Sequence, residues 1–147
     1  MRQIEINKQV YSDDTNPYVI AEVGHNHQGK LDTALELIKA ASDSGASAVK
    51  FQKRSNRDLF TKMAYDAPYV NENSYGATYG EHRDALEFGL SEYKECLDLA
   101  KSLNIDFFAT AFDFQSVDFL MNLDMPVFKV ASGDLKTTPL LKYIAET

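Results

Sequence analysis

The sequence predicts an α/β fold built on a parallel sheet. Four short apolar runs, at 18–24, 48–52, 106–112 and 126–132, are rich in β-branched or aromatic residues and lack strict alternation. That is the pattern of strands buried on both faces. A polar or glycine-containing loop follows each run, and then apolar residues at helical spacing. Strand and helix alternating in this way imply right-handed crossovers and a sheet with helices packed against it.

Taken in order, residues 1–17 hold IEI and QVY among polar neighbours and read as a short hairpin ahead of the first core strand. After the run at 18–24, Leu31, Leu35, Ile38 and Ala41 recur at spacings of three and four, an amphipathic helix closed by Gly45. The second run, AVKFQ, leads into a long excursion over 55–90, rich in Asn, Gly, Tyr and Ser. Insertions of that length in a compact domain are usually lids or binding loops. Ser91 reads as the N-cap of the next helix, with Tyr93, Cys96, Leu97, Ala100 and Leu103 on one side. The third run precedes a shorter helix over 115–123. The fourth precedes a helix starting near Thr138 and Pro139, with Leu140, Leu141 and Ile144 apolar.

The 147 residues suit one domain, and 44% hydrophobic with 25% charged residues is ordinary globular composition. Fifteen basic against twenty-two acidic side chains give a net charge of −7, which removes nucleic acid and anionic membrane as first-choice partners. No apolar run approaches the ~20 residues of a membrane span. The first fourteen residues have no apolar leader core, and the lone Cys96 excludes an internal disulfide and a cysteine zinc cluster. A reducing, cytoplasmic setting is the expectation.

The residues able to carry chemistry stand at the C-terminal ends of the four runs: Glu22, Lys50 with Gln52, Thr110, and Lys129 with Ser132. Ligands of parallel α/β sheets bind at that edge. Two lysines, a threonine, a serine and a glutamine converging there suit a small phosphorylated or carboxylated ligand. The plainer alternative is that Lys50 or Lys129 merely pairs with Glu22, since a charge in an apolar strand is costly to bury alone. His25 and His27, in the loop from Gly24 to Gly29, are too few for a metal site. His82 reads as a structural or substrate-contacting residue in a polar loop, and Cys96 as core. Asp13, Asp14, Asp32 and Asp43 read as surface or capping residues.

Beyond these spacings, AEVGHNHQGKLDTALELIKAASDSGASAVKFQ resembles the opening of the N-acetylneuraminate (sialic acid) synthase family, and YGEHRDALEF, FFATAFD and FKVASGDL follow in the family's order. The likeness covers residues 17–147. It implies a TIM-type (β/α)₈ barrel, of which this chain is the first four βα units, a half-barrel carrying the N-terminal hairpin. The C-terminal half and an antifreeze-like domain would lie outside it. The implied activity joins phosphoenolpyruvate to N-acetylmannosamine, its 6-phosphate or a related amino sugar, forming a nonulosonic acid and releasing phosphate.

On the same resemblance, Lys50, Gln52, Thr110, Lys129 and Ser132 match positions that hold phosphoenolpyruvate. Glu22 matches the catalytic acid beside the reacting carbons, and Asn73 or Ser74 a loop that reaches the sugar. His25 departs from the family motif, which has an apolar residue or Gln there. A divalent cofactor, manganese or magnesium, is implied, with its histidine ligands on later strands and none in this chain. An arginine from the antifreeze-like domain would reach the partner subunit's sugar site, and a homodimer or self-association is expected. Two alternatives remain: a noncatalytic truncated binding or interaction module, and an aldolase using Lys50 or Lys129 as a Schiff-base lysine.

Overall fold

The computed structural model describes residues 2–147. Strand β1 (Gln3–Ile6) pairs antiparallel with β2 (Gln9–Ser12), Ile4 opposite Tyr11. Both turn residues, Asn7 and Lys8, take positive φ (50° and 66°), the geometry whose twist suits a two-residue hairpin. Asn7 Nδ2 donates to Asp106 Oδ1 at 2.8 Å and the Tyr18 hydroxyl donates to Oδ2 at 2.7 Å. Those bonds pin the hairpin and its exit to the N-terminal edge of the main sheet. Burial, together with the Asp106 contact, pushes the Tyr18 hydroxyl above its usual range.

The main sheet contains β3 (Ile20–Gly24), β4 (Ala48–Lys53), β5 (Asp106–Ala111) and β6 (Phe128–Lys129), all parallel and in that spatial order. Helices α1 (Leu31–Asp43), α5 (Leu90–Ser102), α6 (Phe114–Met121) and α7 (Thr138–Ala145) accompany the strands in sequence. Because side chains alternate across a strand, Val23, Val49, Phe51, Phe107 and Ala109 turn one way. They form one core with Ile38, Tyr93, Cys96, Val117 and Leu120 from the helices. The other face carries Glu22 level with Lys50 and Phe108, and Gln52 level with Thr110 and Lys129. The sheet therefore has an apolar outer face under the helices and an inner face on which polar side chains stand beside Phe108.

Several elements depart from the expectation. Helix α5 is capped by Gly89, not Ser91: the Glu92 carboxylate accepts the Gly89 N–H at 3.0 Å and starts the helix two residues early. Helix α6 begins at Phe114 because Asp113 caps it, accepting from the Ser116 N–H at 2.7 Å. The fourth strand shrinks to two residues, and Ser132 opens a 3₁₀ turn, Ser132–Lys136.

The excursion is folded rather than a bare loop, with α2 (Asn56–Leu59), α3 (Lys62–Tyr65) and α4 (Tyr79–Asp84). Asp84 ties the three together, accepting from Asn56 Nδ2 at 2.8 Å and from the Tyr65 hydroxyl. Gly80 lies under the Tyr65 ring, where an added Cβ would meet ring carbons at 2.4 Å.

Candidate active site

Lys50 and Thr110 project from the middle two strands into the inner face, and both are buried. Lys50 Nζ pairs with Glu22 Oε2 and donates to Thr110 Oγ1 at 3.1 Å. The ammonium is thus neutralised and hydrogen-bonded, the condition for burying it. The plain pairing of two strand charges is present, but its partners differ in exposure: the Lys50 side chain is 9% exposed and that of Glu22 52%. One carboxylate oxygen holds the lysine while the group as a whole stays open to an incoming molecule. The register slips between Glu22 and Gly24, and Gly24 takes φ +56°. A Cβ there would stand 3.3 Å from Glu22 Oε1 and 3.4 Å from Gln52 Nε2. Gln52 and Glu22 therefore converge over a bare backbone.

Behind this edge lies a second polar layer that the sequence reading missed. Arg54 Nη2 donates to Gln52 Oε1 at 2.7 Å, Nη1 lies 3.3 Å from His25 Nδ1, and the guanidinium covers the Phe112 ring at 3.7 Å. Since Arg only donates, His25 Nδ1 accepts and its ring proton belongs on Nε2. Nε2 lies 3.2 Å from Glu87 Oε1, close but poorly aligned for a hydrogen bond. Glu87 Oε2 accepts from Lys53 Nζ at 3.3 Å and from the Arg54 backbone N–H at 3.2 Å.

Burial alone would lift the Glu87 carboxyl, but His25, Lys53 and the Arg54 N–H outweigh it and hold it below the usual carboxylate range. Burial, and then the neighbouring Arg83, lower Arg54 to about 10, which leaves it a cation at neutral pH. Lys53 points outward from the sheet, donating to Phe88 O at 2.8 Å with its ammonium 4.8 Å from the Phe119 ring centre. The signal available in the sequence was the pair of basic residues directly after an apolar strand. Their acid, Glu87, lies more than thirty residues away.

Among the described residues, the other expected residues form no side-chain hydrogen bond or ion pair with the cluster. Lys129 is exposed, and its ammonium turns back onto the Val130 carbonyl; Ser132 is exposed in the 3₁₀ turn. The Asn73 N–H donates to Asn71 Oδ1 at 2.8 Å and Ser74 Oγ to Asn71 O at 3.0 Å, so both are held within their own loop.

That loop is anchored by His82, which is a buried residue of α4 rather than of a polar loop. Its Nδ1 accepts the Tyr75 N–H at 3.2 Å, and Tyr69 lies 4.6 Å away between ring centres. Burial, and then Arg83 and His25, lower its pKa and favour the neutral acceptor form.

His27 is buried between Phe88, at 4.0 Å between ring centres, and Phe51, at 5.5 Å. Its Nδ1 accepts the Gly29 N–H at 3.2 Å. Burial, and then His25, lower it to about 4. Among the described residues no group of three His, Cys, Asp or Glu is placed to hold a metal ion. His25 is engaged by Arg54 and Glu87 and His27 is stacked, so the residues present do not fit a divalent cation. Cys96 is buried in the core, and burial pushes its thiol up to about 12. No helix among the described residues is long and apolar enough to cross a membrane.

Known proteins bear on this arrangement. A family model described as the NeuB family matches residues 37–147. N-acetylneuraminate-9-phosphate synthase of Drosophila melanogaster is 44% identical over 128 residues, 87% of this chain and 34% of that protein. The N,N'-diacetyllegionaminic acid synthase of Legionella pneumophila is 40% identical over 129 residues, 87% of this chain and 36% of that protein. In structure, the N-acetylneuraminic acid synthetase of Leptospira borgpetersenii superposes with a TM-score of 0.81 at 28% identity, covering 99% of this chain and 46% of that one. The chain spans about a third of the length of the curated relatives it matches. With most of its length, residues 37–147, inside one family model, the chain belongs to the NeuB family.

Proposed function

We propose that the inner-face cluster is the phosphoenolpyruvate side of a synthase that condenses this enol phosphate with an amino sugar, releasing phosphate and a nonulosonic acid. The observation that carries the reading is Lys50, a buried ammonium at the C-terminal edge of the sheet, shared between Thr110 and a half-exposed Glu22. Lys50, Thr110 and Gln52 hold the substrate carboxylate and phosphate. Lys129, from β6 beside Thr110, and Ser132, from the turn that follows, complete the anion site. Binding energy of this kind fixes the attack geometry, and positioning can lower the barrier by several kcal/mol.

As C3 of the enol attacks the sugar aldehyde, positive charge grows at C2. The Glu22 carboxylate stabilises that charge, or guides water onto it before phosphate leaves. Asn73 and Ser74 contact the sugar from their loop. N-acetylmannosamine, its 6-phosphate or a related amino sugar is the acceptor, the setting is cytoplasmic, and copies of the chain associate. The 147 residues form the first half of the barrel. A manganese or magnesium ion of the kind the family resemblance implies finds no ligand set among the described residues.

The Schiff-base alternative fits less well, because Lys50 Nζ is already engaged by Glu22 and Thr110 rather than free to attack a carbonyl. Borohydride added with pyruvate separates the two: the synthase reading expects no covalent adduct on Lys50 or Lys129, and a trapped adduct would establish the aldolase. Glu22→Gln should lower turnover at least tenfold while phosphoenolpyruvate affinity changes less than about twofold. Unchanged turnover would remove Glu22 from the chemistry.

A further inference from the structure

The Gln52 side chain can face a ligand either way, as a carbonyl acceptor or as an NH₂ donor, and the two differ by a half-turn of the amide. Only the donor orientation attracts an anion. The choice is made by Arg54, which has five N–H donors and no acceptor. Its Nη2 takes Gln52 Oε1 at 2.7 Å, so the amide nitrogen must lie on the opposite prong. That nitrogen is the atom closest to Gly24 on the Gln52 side, 3.4 Å from the place of a missing Cβ, with Glu22 Oε1 on the other side at 3.3 Å.

Arg54 is itself held on three sides. The Phe112 ring lies under the guanidinium at 3.7 Å, His25 Nδ1 receives Nη1 at 3.3 Å, and Glu87 Oε2 receives the Arg54 backbone N–H at 3.2 Å. Glu87 approaches His25 as well, at 3.2 Å. The clamp therefore has a shared base, in which one largely buried carboxylate holds the arginine backbone and lies against the histidine that meets its side chain.

We propose that Arg54 is a positioning residue: through its bond to Oε1 it locks the Gln52 amide with the NH₂ group toward Glu22, so that the site meets an anionic substrate with a preset donor. Arg54 acts on the substrate only through Gln52. The consequence for affinity rests on the enolpyruvate reading above; the consequence for Gln52 does not.

In the ¹⁵N-labelled chain, the Gln52 side-chain NH₂ pair is expected to show heteronuclear NOE values like those of the β4 backbone. Arg54→Met keeps an unbranched apolar side chain at the position and removes the donors. It should drop those values to the free-side-chain range while the β4 amides stay rigid. Phosphoenolpyruvate affinity should fall about tenfold in Arg54→Met, the weight of one ordered hydrogen bond. In a double-mutant cycle, adding Arg54→Met to Gln52→Ala should cost nothing further. Arg54→Lys, whose ammonium can still donate to Oε1, should recover part of the order.

A mobile Gln52 NH₂ in the unaltered chain overturns the proposal even if Arg54→Met fails to fold. An ordered NH₂ in a folded Arg54→Met, or a full tenfold loss in the Gln52→Ala background, overturns it too. If Gln52 order depends on Arg54 and phosphoenolpyruvate does not bind, the positioning role stands and the enolpyruvate reading falls.

Discussion

Lys50 and His27 are both buried ionisable side chains of this chain, and they are buried for opposite reasons. The Lys50 ammonium is met by a carboxylate and a hydroxyl, whereas His27 is enclosed by two phenylalanine rings that favour its neutral form. Replacing Lys50 by Met should weaken phosphoenolpyruvate binding roughly 10- to 100-fold, the range for a hydrogen bond to a charged group. Calorimetric titration measures it. His27 has its folded pKa lowered to about 4 from 6.5, so between those values the unfolded chain binds the extra proton. Stability should then be full above pH 6.5 and decline as pH falls toward 4. Urea midpoints at a series of pH values test this, and His27→Gln should flatten the decline in that window. The strand-end polar residues were legible because a charge inside an apolar run is costly and calls for a reason. Arg54 and Glu87 were not, since their meaning lies in contacts between positions far apart in sequence.

Each main helix could be read from its apolar spacing, but its first residue could not, because caps depend on side-chain geometry. Asp113 illustrates this: it accepts from Ser116 N–H in its own helix and from Ser55 N–H in the excursion, at 2.7 and 2.8 Å. Asp113→Ala should cost about 1–2 kcal/mol in chemical denaturation, the upper range for a lost cap. The excursion was read as a loop because α2, α3 and α4 are too short to show periodicity. They are held by Asp84 and by packing around Gly80. Gly29 joins the histidine loop to this lobe, with φ +71° and its missing Cβ only 2.2 Å from the Ala85 carbonyl. Gly29→Ala should therefore cost about 2 kcal/mol or more, from left-handed strain plus the clash. The fourth strand was overestimated because PVFKVAS is apolar enough to be a strand, yet only two of its residues find ladder partners.

Within the whole chain, the four-stranded sheet ends at β3 on one side and β6 on the other, and each has a single neighbour among the described residues. Ile20 on β3 is 43% exposed and Val19 just before it 50%. Such an edge offers unpaired backbone groups and apolar side chains to another strand. Sedimentation of the chain should show association that strengthens with concentration, and a strictly monomeric boundary would contradict it. The alternation of strand and helix made the architecture legible, since that pattern admits few topologies. The inner-face assembly was legible only as a set of strand ends.

The decisive measurement is an amide NMR titration of the chain with phosphoenolpyruvate. The account predicts localised shifts at Lys50, Gln52 and Thr110, extending to Lys129 and Ser132, with the hairpin at the opposite edge unmoved. A dispersed spectrum in which none of these amides responds would contradict it.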